Sequence, residues 1–303
     1  MRELAEALAV STQVEAEVRA ASDREAQRLV AAVLDQTPAQ LSLRMRRGPS
    51  LASAEAAAIH GAAVRRLSGE PLAYAVGTAA FRELVLQVDP RVLIPRPETE
   101  EVVGVALALV AERPGGLAID IGTGSGAIAL SLAVEGRFER VIATDLSVDA
   151  VDVARANAHR VAAPVPVEFR VGADLAPVTG ERARLIVSNP PYIAHAEADQ
   201  LAPGVRDWEP AVALFAAEDG MARYHALLDG ALAVLEPGGW LVCELDARRA
   251  QRTAELARAE GFASVGVMCD LSGRDRILVA QRPSDAASHP AVPPNSAGGR
   301  HDA

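Results

Sequence analysis

Lysine is absent. All 30 basic residues of the 303-residue chain are arginine. That excludes a P-loop lysine gripping phosphate, a Schiff-base lysine and a lysine general base. Cysteine occurs twice, at Cys243 and Cys269, too few to form a zinc site by themselves. Both lie in apolar segments and read as buried free thiols. Long apolar runs are missing as well. The longest without a charge, Ile121 to Val134, is shorter than the roughly 20 residues of a membrane span and carries three glycines near its start. The first ten residues, MRELAEALAV, hold acids where a secretion signal has a basic patch. The expectation is a soluble, cytoplasmic protein that does not engage a membrane.

Positive charge is scarce where a nucleic-acid binder needs it. Residues 1–75 carry nine acids and nine arginines, so the net charge of −10 falls on residues 76–303. Tight nonspecific binding to nucleic acid needs many cationic phosphate contacts, and this balance disfavours it. Apolar residues make up 50% and charged residues 23%, the composition of a folded globular chain rather than a disordered one.

The pattern of elements divides the chain. Residues 1–75 read as a small helical domain that serves to dock a substrate. Ser22-Asp23-Arg24-Glu25 has capping-box spacing, Thr37-Pro38 suits an N-cap followed by proline, and Leu51 to Leu67 gives a longer helix ended by Gly69-Glu70-Pro71. Residues 76–96 read as a β-hairpin linker, with two short strands between Phe81 and Ile94 around a turn at Asp89-Pro90. A helix follows from about Glu101 to Ala111. Strands are then expected at Leu117–Ile121, Val141–Asp145, Val167–Val171, Arg184–Ser188, Gly239–Glu244, Ser264–Met268 and Arg276–Ala280, most of them separated by helices. This rhythm predicts an α/β domain over residues 97–283, with a mostly parallel sheet covered by helices on both faces. Residues 284–303 are rich in Pro, Ser, Ala and Gly and read as a disordered tail.

Two motifs carry the chemistry. Asp120-Ile121-Gly122-Thr123-Gly124-Ser125-Gly126 follows a strand and opens a helix, and Asp145 stands 19 residues after Gly126 at the next strand's end. Glycines let the chain turn sharply and let a ligand approach the backbone, and the strand-end carboxylate can accept two ribose hydroxyl protons. Loop and acid together read as an adenosine-type cofactor site. The loop alone fits a nicotinamide dinucleotide and S-adenosyl-L-methionine equally well.

The fourth strand decides between them. It runs into Asn189-Pro190-Pro191-Tyr192, a turn that should lie beside the glycine loop, because ligands sit beyond the carboxyl ends of strands at the switch point of an open α/β sheet. Each proline fixes its own φ, removes a donor and pushes the preceding residue out of the helical region. Asn189 and Pro190 then offer two oxygen acceptors for the N–H groups of a primary amide or aromatic amine, and Tyr192 offers a flat face. Such acceptors favour the charge-gaining nitrogen of a methyl-transfer transition state. Neither a strong base nor a metal is required.

With these residues in view, the chain resembles the release factor glutamine methyltransferases over about residues 20–282. The resemblance rests on Pro71-Leu72-Ala73-Tyr74 with Gly77 and Phe81, on Leu93-Ile94-Pro95-Arg96-Pro97-Glu98-Thr99-Glu100, and on the two motifs above. Glu209-Pro210 with Ala213-Leu214, Asp219-Gly220 and Arg274 to Arg276 complete it. Asn-Pro-Pro-Tyr is shared with other amino-methylating enzymes; the Ile-Pro-Arg-Pro-Glu-Thr-Glu segment is more specific.

The resemblance implies a Rossmann-like class I methyltransferase sheet, mostly parallel with its last strand antiparallel, behind the helical N-terminal domain. It implies methyl transfer from S-adenosyl-L-methionine to the N5 amide of the Gly-Gly-Gln glutamine in class I peptide chain release factors, with no direct contact to nucleic acid. Gly122, Thr123, Gly124, Ser125 and Gly126 would wrap the methionine part of the cofactor, Asp145 its ribose, and Asp174 and Leu175 would border the adenine. Asn189, Pro190, Pro191 and Tyr192 would hold the glutamine, with Asn189, Pro190 and Tyr192 catalytic and Asn189 also touching the cofactor. Three positions depart from the family pattern: Leu175 stands where an aromatic is frequent, Ala73 where glutamine is usual, and Asp246 where glycine follows the strand-five glutamate. A ribosomal-protein glutamine methyltransferase and an adenine N6-methyltransferase stay open as alternatives. Two readings each stay open for His195, a proton acceptor or a solvated loop side chain, and for Glu98 and Glu100, substrate-orienting groups or carboxylates favoured by a helix N-terminus.

Overall fold

The computed structural model describes residues 23–48 and 51–284. Ser22 of the expected capping box and the tail from residue 285 lie outside them. Two compact units divide after Thr78.

The first unit is helical: α1 (residues 23–33), α2 (Pro38–Arg46), α3 (Ser53–Leu67) and the short α4 (Leu72–Val76). Thr37 caps α2 reciprocally with Gln40, its hydroxyl accepting the Gln40 N–H at 3.2 Å and Gln40 Oε1 accepting the Thr37 N–H at 2.7 Å. Glu55 in the first turn of α3 takes the Arg44 guanidinium at 2.8–3.0 Å, which joins α2 to α3. Glu70, 4% exposed, is held by Arg65 after α3 ends.

Next along the chain comes a hairpin of β1 (Thr78–Phe81) and β2 (Leu84–Gln87). Its turn is Arg82-Glu83, not Asp89-Pro90. Arg82 takes a left-handed conformation, φ 50°, without the glycine or asparagine such turns favour. Ion pairing to Glu135 at 2.5–3.1 Å and a bond to the Glu100 carbonyl hold it there. Asp89-Pro90 does turn the chain, but after β2. Asp89 accepts the Arg91 N–H on its side chain at 3.0 Å and the Val92 N–H on its carbonyl at 3.1 Å.

Helix α5 (Pro97–Val110) begins four residues earlier than the sequence suggested. Pro97 sits in its first turn, where a missing N–H costs nothing, and Glu98 and Glu100 lie at the positive end of the helix dipole. The earlier start matters because it turns Thr99 inward, to 4% exposure.

Next come β3 (Leu117–Ile121), α6 (Ala127–Glu135), β4 (Arg140–Asp145), α7 (Val148–Val161), β5 (Val167–Val171) and β6 (Ala183–Ser188). They are followed by β7 (Ile193–Ala194), α8 (Pro203–Arg206), α9 (Ala211–Leu214), β8 (Phe215–Ala216), α10 (Ala222–Val234), β9 (Leu235–Glu244), α11 (Ala250–Ala259), β10 (Ser264–Cys269) and β11 (Asp275–Gln281). The seven-stranded sheet runs β10-β11-β9-β6-β3-β4-β5. β6, β3, β4, β5 and β9 pair in parallel, while β11 is antiparallel to both β9 and β10. This is the expected mostly parallel sheet with an antiparallel last strand.

Every residue of β3 is buried, as a parallel strand covered on both faces requires. Side chains alternate between two cores. Leu117, Ile119 and Ile121 join Ile186, Leu241 and Cys243 under α10 and α11, while Ala118, Leu185, Val187 and Val242 face Val102, Val103 and Ala106 of α5 and the apolar residues of α6. Cys243 is a buried free thiol, as expected, and Cys269 is half-buried. The pair β7 and β8, two residues each, left no signal in the sequence. It closes the base of an excursion over residues 193–216 that begins shortly after β6. No helix among the described residues is long and apolar enough to cross a membrane.

Candidate active site

Two cavities open where β3, β4 and β6 end. The larger encloses about 840 Å³, its open mouth included, and is lined by Gly122, Gly124, Asp145, Asp174, Ser188, Asn189, Pro190 and Pro191. Leu93, Leu146, Val212, Ala213 and Leu227 supply apolar wall, and Arg91 and Arg223 stand among the lining residues. The smaller encloses about 420 Å³ and is lined by Tyr192, Arg96, Glu244, Val205 and Leu214, together with Leu93, Ala213 and Asn189, Pro190 and Pro191 again. The Asn-Pro-Pro segment is therefore a wall common to both.

The glycine loop is built from the strand ends. The Gly122 and Thr123 N–H groups both donate to the Thr144 carbonyl, at 2.9 and 2.8 Å. Gly122 and Gly124 have φ of 77° and 54° and face open space, so a side chain there would be strained and would fill the cleft wall. Gly126, at φ 86°, differs in its surroundings: a Cβ there would press on Leu130 and Ala154 at 3.2–3.3 Å. Thr123 and Ser125 are buried behind the loop rather than facing the cavity. Beneath them Asp120, wholly buried, accepts the Thr123 hydroxyl at 2.7 Å and the Ala129 N–H at 3.0 Å on one oxygen. Its other oxygen has no partner among the described residues, and burial raises its pKa to about 7.

Asp145 ends β4 at the cavity wall. Its carboxylate accepts the Gly124 N–H and the Ser147 N–H, each at 2.9 Å, so it sets the loop's position as well as lining the cleft. Burial moves its pKa upward against these donors. Asp174 also lines the cavity, in a left-handed conformation at φ 48°, with Arg223 Nη1 at 3.1 Å from both of its oxygens. Leu175 does not line the cavity. It is 7% exposed and packs in the core against Gly230 of α10.

The Asn-Pro-Pro-Tyr turn rests on a polar chain that the sequence did not reveal. Asn189 Nδ2 donates to Thr99 Oγ1 at 3.0 Å, Thr99 donates to Glu244 Oε2 at 2.5 Å, and the Tyr192 hydroxyl lies 3.4 Å from Glu244 Oε1. Glu244 is 2% exposed; burial raises its pKa, while the Thr99 hydroxyl and the Arg276 guanidinium oppose that rise. Burial and the Glu244 charge push the Tyr192 phenol well above its usual range, so it stays a donor.

The partners of other contributors were equally hidden in sequence. The Glu209 side chain, 1% exposed, takes Arg96 and the Ile94 N–H and so fixes the segment that carries Leu93 into both cavities. Asn157, wholly buried on α7, bonds the backbone of Gln87 in both directions and donates to the Ser125 carbonyl at 2.8 Å, tying hairpin to glycine loop. Asp246, the departure after Glu244, accepts from Arg248 and Arg249, both of which also reach Glu197 in the excursion. Gly220, at φ 84°, is needed because any Cβ would strike the Tyr192 carbonyl and the Arg249 guanidinium. His195 is exposed and stacks on Phe215, ring centroids 5.1 Å apart.

A seven-stranded α/β sheet with a glycine-loop cleft at its switch point is the architecture of a methyltransferase. Residues 105–203 match the methyltransferase small domain and residues 7–77 the PrmC N-terminal domain. Among solved structures, a methyltransferase from Pyrococcus furiosus shares the fold at TM-score 0.51 and 20% identity, covering 77% of this chain and 100% of that one. The hMettl16 catalytic domain does so at TM-score 0.54 and 17% identity, covering 78% and 84%. Curated relatives are closer in sequence. The release factor glutamine methyltransferase of Cereibacter sphaeroides is 41% identical over 86% of this chain and 91% of its own length, and that of Yersinia pestis 44% identical over 72% and 77%. The chain belongs to the release factor glutamine methyltransferase family.

Proposed function

We propose that this chain transfers a methyl group from S-adenosyl-L-methionine to the side-chain amide nitrogen of the Gly-Gly-Gln glutamine in class I peptide chain release factors. The observation that carries this reading is the shared wall: Asn189, Pro190 and Pro191 face the glycine-loop cavity on one side and the Tyr192 cavity on the other. A methyl donor in the first and a carboxamide in the second would meet at that wall. The relatives' names supply the substrate.

The larger cavity fits the cofactor. Gly122 and Gly124 leave open room at a wall where a Cβ would intrude, and the Asp145 carboxylate stands beside them for ribose hydroxyls. Leu146, Val212 and Leu227 offer apolar contact to a planar base, and the Asp174–Arg223 pair a polar rim. When bound, S-adenosyl-L-methionine supplies a methyl group on a positively charged sulfur.

The chain's own groups prepare the nitrogen. An amide nitrogen is a weak nucleophile because its lone pair is delocalised into the carbonyl. Asn189 Oδ1 and the Pro190 carbonyl accept its two N–H groups and stabilise the charge it gains as the N–C bond forms and the C–S bond breaks. The Tyr192 ring flanks the planar amide. Holding the nitrogen in line contributes up to about 7–11 kcal/mol. The extra proton on nitrogen leaves to water after transfer.

The test is incubation of the purified chain with methyl-labelled S-adenosyl-L-methionine and a release factor, beside ribosomal proteins and duplex DNA. Label in the release factor alone supports the reading. Label only in ribosomal protein or in DNA, or in nothing, contradicts it.

A further inference from the structure

The amide of Asn189 has two ends of opposite polarity, and only its hydrogen bonds decide which one faces the cavities. Its Nδ2 lies 3.0 Å from Thr99 Oγ1, and Thr99 Oγ1 lies 2.5 Å from Glu244 Oε2. A hydroxyl carries one proton, and a carboxylate can only accept. The Thr99 proton therefore goes to Glu244, and Thr99 is left with a lone pair that must accept from Asn189. With the amide reversed, the Asn189 carbonyl would face an oxygen with no proton to give, lone pair against lone pair. The chain of donors thus runs one way, from Asn189 through Thr99 to Glu244. Because Thr99 takes the nitrogen end, Oδ1 is the end presented to a ligand.

The other oxygen of the same carboxylate receives the Tyr192 hydroxyl at 3.4 Å. One buried side chain on β9 therefore governs both the first and the last residue of the Asn-Pro-Pro-Tyr turn. Burial, joined by the nearby Glu98 of α5, raises its pKa, and the Thr99 hydroxyl, Arg276 on β11 and the Tyr192 hydroxyl oppose that rise. Arg276 in turn lies 3.6 Å from Asp270. Thr99 reaches this place only because α5 starts at Pro97, which buries the third residue of the helix.

We propose that Thr99 and Glu244 are positioning residues for methyl transfer, fixing the Asn189 amide so that its oxygen faces the amide hydrogens of the substrate. The inference rests on the glutamine-methylation reading above. Thr99 lines neither cavity; Glu244 lines the smaller one, but acts here through Thr99 and Tyr192 rather than on the substrate nitrogen. Their effect is on the polarity and aim of the clamp, so it falls on the chemical step rather than on binding.

Three variants test it: Thr99→Val, which keeps the shape and removes the hydroxyl; Thr99→Ser, which restores it; and Glu244→Gln, which lets an amide nitrogen face Thr99 and frees the order of donors. Steady-state kinetics with release factor are measured beside S-adenosyl-L-methionine binding by calorimetry. Thr99→Val is expected to lower kcat by roughly 10- to 100-fold, the scale of a misaimed reacting group, with KM for the release factor and cofactor affinity within about threefold. Thr99→Ser is expected to recover most of that loss, and Glu244→Gln to behave as Thr99→Val does. If Thr99→Val fails to fold, seen as lost cofactor binding, Glu244→Gln decides on the same kcat criterion. Wild-type kcat in Thr99→Val, or a Thr99→Ser enzyme as impaired as Thr99→Val, overturns the inference and leaves the methylation reading standing. A wild-type chain that transfers no methyl to the release factor removes that reading, and this inference with it.

Discussion

Glu209 holds Arg96 across 113 residues of sequence, Oε1 to Nη2 at 2.5 Å, while its other oxygen takes the Ile94 N–H at 3.3 Å. One carboxylate from the excursion over residues 193–216 thereby fixes the segment that carries Leu93 and Arg96 to the cavities. Glu209→Ala is expected to destabilise the fold by about 1–3 kcal/mol, less than a fully buried pair would lose because the Arg96 side chain is 30% exposed and regains water. Because Leu93 lines both cavities, KM should rise for cofactor and release factor together. Thermal unfolding with two-substrate kinetics checks this; a rise for only one of the two contradicts it.

Asn189→Ala removes one of the two acceptors proposed to hold the substrate nitrogen. The expected result is a kcat reduced about 10²- to 10³-fold, as for loss of one preorganised transition-state partner, with cofactor affinity changed only a few-fold. Single-turnover rates at saturating cofactor, beside equilibrium binding, separate the two effects. An unchanged rate would remove the clamp from the mechanism.

Asp145→Ala has the opposite signature. Its carboxylate lines the cofactor cavity and holds Gly124, so the affinity for S-adenosyl-L-methionine should weaken roughly 10- to 100-fold, about 1.4–2.8 kcal/mol. Release factor binding in the absence of cofactor should not change. Calorimetric titration of each ligand alone measures both.

Asp120 gives a pH prediction. Burial raises its pKa to about 7 in the folded chain, against about 3.9 in the unfolded one. Between those values the folded chain holds the extra proton, so this group's contribution to stability falls as pH rises from about 4 to about 7, by at most about 1.4 kcal/mol per unit, and is level above. Asp120→Asn should therefore gain on the wild type between about pH 5 and pH 7.5. Urea unfolding of both proteins across that range reads the difference; parallel curves contradict it.

The sheet was legible because each strand carries a local pattern: Leu117–Ile121 is buried throughout and apolar but for Asp120, the edge strand Val167–Val171 alternates apolar and charged residues, and both end where the sequence pattern ends. Glycines at 122 and 124 announced their left-handed turn for an equally local reason. What stayed hidden depends on partners far away in the chain. The Arg82-Glu83 turn is held by Glu135, 53 residues on, and carries no turn residue of its own. Thr99 meets Asn189 across 90 residues and Glu244 across 145, and Asn157 meets Gln87 across 70. A sequence shows that a buried carboxylate or amide is present; only the fold shows which hydroxyl it takes. The burial of Leu175 is of the same kind, since the strand-end position alone does not say that Gly230 opens a core slot for it.

The most direct test of the shared wall is tandem mass spectrometry of the Gly-Gly-Gln peptide from a release factor incubated with the chain and S-adenosyl-L-methionine. Fragment ions that place a single methyl mass on the glutamine side-chain amide, absent when Asn189→Ala replaces the wild type, are what a carboxamide gripped at the Asn-Pro-Pro segment predicts. An unmodified glutamine, or a methyl group on any other residue, would contradict it.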